Sequence, residues 1–128
     1  MKKILLAIIV LGLTAATALA TDAPFKAGTT LENLQAAFNG ESNAHARYLA
    51  FAQQADQEGY GKAASLFRAA AKAEEIHARN HAEVIRKMGG AAQTQIESPR
   101  VNSTKENLEA AIKGESYERD VMYPAFLK

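Results

Sequence analysis

Two short patterns in this sequence have the make-up of a metal site, Glu74-x-x-His77 and Glu115-x-x-Glu118. A helix can aim two side chains at one ion only from positions three or four apart, and both pairs qualify. Projected at 3.6 residues per turn, Glu74, His77 and His81 fall in line with Phe67, Ala70, Val84 and Met88, while Glu75 points away. Glu41 and His45 lie on an apolar stripe between Phe38 and Tyr48, and Glu115 and Glu118 align with Leu108, Ala111 and Met122. Four carboxylates facing one small core would be costly to bury if ionised and unpaired. Arg47 and Arg68 project off these stripes, so bound metal cations are the simplest compensation. Oxygen ligands with a few imidazoles suit iron or manganese better than zinc.

Composition narrows the chemistry further. The 128 residues contain no cysteine, which removes disulfides, zinc ribbons and iron–sulfur ligation from this chain. Charge is nearly balanced, at 15 basic against 14 acidic side chains, and no basic block interleaves with aromatics. Nucleic acid is therefore not an expected partner.

The elements that must position these residues are helices. Thr29 to Glu32 forms a capping box that starts a first helix, and Glu58-Gly59-Tyr60-Gly61 ends it. A second helix is expected from about Lys62 to Met88, stopping at Gly89-Gly90, and the stretch from Gly89 to Arg100 reads as a loop. Ser103 to Glu106 is another capping box and opens a third helix, expected to kink or stop near Tyr123-Pro124. The class is all-α, and Glu41 and Glu115 lie too far past their caps to serve the helix dipole.

The chain also repeats itself at an offset of 74 residues. Residues 30–42 (TLENLQAAFNGES) match residues 104–116 (TKENLEAAIKGES) at nine of thirteen positions. The repeat predicts a pseudo-two-fold bundle in which the first and third helices are equivalent. Di-iron bundles of the ferritin-like kind use a Glu from each of two helices and Glu-x-x-His from each of the other two. Glu41, Glu115 and one Glu-x-x-His supply three of those four parts. Applied to Glu74 and His77, the offset places the fourth near positions 148 and 151, so the expectation is a ferritin-like antiparallel bundle with three of its four helices, cut short at Lys128.

With these motifs in view, residues 30–126 resemble rubrerythrin. The likeness rests on Gly40-Glu41-Ser42 through Tyr48, Ala64-Ser65-Leu66-Phe67-Arg68, Glu74-Glu75-Ile76-His77-Ala78 and Gly114-Glu115-Ser116-Tyr117-Glu118, in that order. The resemblance implies a non-haem site of two iron ions (Fe2+/Fe3+) held by Glu41, Glu74, His77, Glu115 and Glu118, with Glu118 and His77 exchanging on one iron as its oxidation state changes. It also implies reduction of hydrogen peroxide to water in oxidative-stress defence. Many family members carry a cysteine-ligated rubredoxin module; this chain has none, so an external electron donor, rubredoxin-like or other, is expected. His45 and His81 occupy positions the family pattern does not use and read as hydrogen-bonded core residues. Tyr48 reads as packing, with a phenol able to reach a carboxylate ligand.

Two rival readings stand beside the peroxidase: a ferritin-like ferroxidase that stores iron, and a metal-binding fragment completed by a second chain. A homodimer with exchanged helices would fill the groove left by a missing helix. Residues 1–20, with Lys2 and Lys3, an uncharged run from Ile4 and the ending Ala18-Leu19-Ala20, have the plan of a signal peptide cleaved near Ala20. The expectation is an exported protein, periplasmic or secreted, whose mature part is one bundle domain over 21–128.

Overall fold

The computed structural model describes residues 26–128, and every regular element among them is helical. Helix α1 spans Thr30–Gln57, α2 spans Gly61–Lys87 and α3 spans Thr104–Tyr117. A π-helical turn at Glu118–Met122 and one more helical turn at Tyr123–Phe126 follow α3 without a break. The signal-peptide reading of residues 1–20 lies outside the described residues. No helix among those described is long and apolar enough to cross a membrane.

Local chemistry sets the ends of these helices. Thr29 and Ser103 each accept a hydrogen bond from the amide three residues on, and the Glu32 and Glu106 carboxylates accept in turn from the cap amides, closing both capping boxes. Gly59 and Gly89, both at φ 81°, take the left-handed conformation that ends α1 and α2. The turn after α1 is short enough to fold α2 back along it as an antiparallel hairpin.

The hairpin holds the core. Tyr48, Phe51 and Phe67 are buried and their rings meet at centroid distances of 5.3 to 6.2 Å. Around them Ala44, Ala52, Ala55, Ala64 and Ala71 present only methyl groups, which lets the two backbones approach closely. Leu108 and Ala111 of α3 pack against the edge of this cluster. Burying each aromatic ring stabilises the fold by about 1.5–3 kcal/mol.

Three expectations need correction. First, Phe67 and Glu74 of the projected stripe are buried but Val84 and Met88 are exposed, and beyond Glu74 the buried positions of α2 are Ala78, Ala82 and Ile85, so the face turned to α1 there is rotated from the projected stripe. Straight-helix projection fixes the period of a stripe and not which of two neighbouring flanks a partner covers. Second, the departure from α-helix begins before Tyr123-Pro124, as the π-turn at Glu118–Met122. The Tyr123 amide donates to Glu118 O, the i→i−5 bond of a π-turn, and Pro124 then sits in the first turn of a new helical segment, where its missing N–H is no loss. Third, Arg47 is not remote from the site: its guanidinium lies 5.6 Å over the Tyr48 ring and its charge reaches Glu118.

Candidate metal centre

Helix α1 delivers Glu41, α2 delivers Glu74 and His77, and these three place potential ligand atoms within 4.8 Å of one another. Glu41 and Glu74 are buried, at 2% and 5% exposure. His77 Nδ1 lies 3.0 Å from Glu74 Oε2 and 3.9 Å from Glu41 Oε1, while half of its side chain, 52%, faces solvent. Glu118 is half-buried and lines the same cavity of about 410 Å³ with Glu41, His77, Asn80, His81 and Tyr123. Glu115 is exposed as a residue, yet its Oε1 turns inward to accept a hydrogen bond from Tyr48 Oη at 2.5 Å. The five predicted ligands thus share one end of the bundle, three of them in a tight group with Glu115 of α3 and Glu118 of the π-turn around it.

The electrostatics show what this group lacks. Burial raises the cost of charge on both Glu41 and Glu74, and the two respond oppositely. At Glu41 hydrogen bonding to His81, Glu74 and Tyr123 and the charge of His77 outweigh desolvation, and its pKa falls. At Glu74 desolvation is joined by the hydrogen bond and charge of Glu41 and by the charges of Glu115 and Glu118, and its pKa rises. Desolvation, then Glu41 and Glu115, push Glu118 up to about 7. Glu41 Oε2 is buried with no hydrogen-bond donor among the described residues. An orphaned carboxylate oxygen beside a second carboxylate and an imidazole is the donor set a hard or borderline cation needs.

Phenols and histidines frame these carboxylates. Tyr123 Oη donates to Glu41 Oε1, and because a phenol has one proton, the 3.2 Å contact to His81 has His81 Nε2–H as donor. His81 therefore supports Glu41 through Tyr123 as well as directly, its Nε2 lying 3.8 Å from Glu41 Oε1. His45 Nδ1 donates to the Ala71 carbonyl at 2.7 Å, tying α1 to α2. Both tyrosines are held protonated: burial first, then the neighbouring carboxylate, raises their pKa.

Tyr123 escaped the sequence reading, which took it as the end of a helix. It stands five residues after Glu118, off that face in an α-helix and on it in a π-turn. The clue was its nearness to the Glu115-x-x-Glu118 motif, since π-turns concentrate at functional sites.

Comparison with known proteins decides the family. The rubrerythrin family model matches residues 32–128. The chain belongs to the rubrerythrin family. It is 43% identical over 108 residues to nigerythrin of Nitratidesulfovibrio vulgaris, covering 84% of this chain and 54% of that protein. It is 39% identical over 103 residues to rubrerythrin of Porphyromonas gingivalis, covering 79% and 50%. The structure of fully reduced, all-ferrous nigerythrin superposes with a TM-score of 0.76 at 42% identity, over 84% of this chain and 54% of that one. The three helices are thus those of a ferritin-like bundle, and the chain spans about half the length of the rubrerythrin-family relatives it matches.

Proposed function

We propose that this chain is the ligand-bearing part of a non-haem di-iron oxidoreductase that reduces hydrogen peroxide to water. The observation that carries the reading is Glu41 Oε2, buried without a donor beside Glu74 and His77. Glu41, Glu74, His77, Glu115 and Glu118 would hold the metals. Two ferrous ions so held supply the two electrons that, with two protons, turn one peroxide into two waters. The protein's own contribution is placement: Tyr48 and Tyr123 fix the rotamers of Glu115 and Glu41 by hydrogen bonds, and the half-exposed His77 leaves a way in for a small oxidant. Electrons would come from an external donor, rubredoxin-like or other, since these 128 residues have no cysteine to hold a redox centre of that kind.

Leu66, Val84 and Met88 on one flank of α2, and Ile112 of α3, are exposed, which supports closure of the site by a second copy in a homodimer, with or without exchanged helices. The leader-like residues 1–20 support export, which amino-terminal sequencing of the mature protein tests. Anaerobic iron loading followed by one equivalent of peroxide tests the activity. Stoichiometric peroxide loss with oxidation of two irons is the expected result. Uptake of many irons per chain would instead make it a store, and metal analysis of protein from its native host distinguishes iron from manganese.

A further inference from the structure

On the side of α1 turned away from the metal cluster, Gln35, Asn39 and Asn43 form a column four residues apart. Residues 90–103, which link α2 to α3, have no regular secondary structure, yet residues 93–97 run along this column as an extended strap. Four residues of helix rise about 6 Å and two residues of extended chain rise about 6.6 Å, so the two ladders stay in step. Gln35 Nε2 donates to the Gln93 carbonyl, and Gln93 N donates back to Gln35 Oε1 at 3.3 Å. Asn39 Oδ1 accepts from Gln95 N at 3.1 Å and from Thr94 Oγ1 at 2.8 Å. Asn43 Nδ2 donates to the Gln95 carbonyl at 2.9 Å, and its Oδ1 accepts from Glu97 N at 2.8 Å. Three side chains of a helix thus treat the strap as a neighbouring strand would.

The strap carries the chain from the level of Gly90 back to the far end of α1, where Ser103 caps α3 and Glu58 Oε2 accepts from Thr104 N at 2.9 Å. From there α3 descends to Glu115 and Glu118. Its apolar grip is slight, with Leu108 and Ala111 at the core's edge and Ile112 exposed, so hydrocarbon packing does little to set its height along α1. Glu41 lies between Asn39 and Asn43 on the same helical turn, which makes the clamp and that carboxylate one rigid unit. We propose that Gln35, Asn39 and Asn43 are positioning residues whose clamp on the strap fixes the height of α3, and so brings Glu115 and Glu118 to the Glu41–Glu74–His77 group. This inference rests on the metal-binding reading of those side chains.

The chemistry of each carboxamide supplies the test. Towards the strap Asn39 uses only its oxygen, so Asn39→Asp keeps its contacts. Asn43 uses both ends, so Asn43→Asp sets an anion against the Gln95 carbonyl, and Asn43→Leu removes both bonds. Amide exchange reports on the strap, and spin labels on Gln53→Cys and Lys113→Cys, clean in a cysteine-free chain, report on the distance from α1 to α3. Anaerobic iron titration reports on the site.

Both Asn43 variants are expected to speed exchange at Gln95 and Glu97 about tenfold, to broaden the label distance, and to weaken the second iron equivalent while the first stays. Asn39→Asp is expected to match the parent in all three. A freed strap with unchanged label distance and iron binding overturns the proposal, as does Asn39→Asp behaving like Asn43→Asp. If the parent protein binds no iron, the metal reading falls, and the label distance alone decides whether the clamp positions α3.

Discussion

The two ends of the α1–α2 hairpin are built from the same pair of helices and have opposite interiors. Near Phe51 and Phe67 the interior is mostly hydrocarbon, rings against alanine methyls, with Thr104 and Asn107 of α3 as the buried polar residues at its edge. Two to three turns along, near Glu41 and Glu74, the helices enclose carboxylates whose pKa values are driven apart because one cavity cannot hold their charges. The first end contributes stability that the second consumes, so the second is free to be arranged for binding. α3 spans both ends: Glu58 accepts from Thr104 N at the first, Leu108 and Ala111 lie on the edge of its core, and Glu115 accepts from Tyr48 at the second.

That contrast can be broken from either side. Phe51→Ala should have the largest effect, lowering stability by about 3–5 kcal/mol in urea titrations while the folded fraction still binds iron. Glu74→Gln should do the reverse: iron binding is lost, and the chelator-treated protein gains about 1–2 kcal/mol because a buried carboxylate conflict is removed.

Above pH 5 the metal-free protein should also respond to pH through this end. Glu74 and Glu118 have pKa values raised above the ordinary 4.5, Glu118 to about 7, so the unfolded chain releases their protons first. Stability must therefore fall as pH rises from 4.5 through 7. Glu41, shifted the other way, contributes stability above 4.5 that is lost on acidification. A urea midpoint that declines between pH 5 and 8 in the parent, and flattens in Glu74→Gln with Glu118→Gln, is the expected pattern. Tyr123→Phe should cost about 1–2 kcal/mol by removing the hydrogen bond to Glu41 and the one from His81. Smallest of all, Arg68→Ala breaks a half-exposed ion pair with Asp56 and should change stability by less than about 1 kcal/mol.

Much of the helical frame was legible because it is written in local chemistry. Thr29-x-x-Glu32 and Ser103-x-x-Glu106 named two helix starts, and Gly59 and Gly89 named two ends. The grouping of Glu41, Glu74 and His77 followed from helical period plus the cost of burying charge. What stayed hidden depends on contacts between distant segments. Whether α1 covers the Ile85 or the Val84 flank of α2 is a choice of rotation that both flanks, being apolar, left open. The π-turn that brings Tyr123 to Glu41 has no residue signature, and the carboxamide column of Gln35, Asn39 and Asn43 looks like an ordinary solvated face until the strap lies on it.

The central claim is that Glu41, Glu74 and His77, with Glu115 and Glu118, form a metal centre. Anaerobic Fe(II) titration of the parent, Glu41→Gln and Glu74→Gln, each confirmed folded by circular dichroism, tests it most directly. The account predicts saturation at two irons per chain in the parent and loss of tight binding in both variants. Absence of binding in the parent, or binding indifferent to both substitutions, would contradict it.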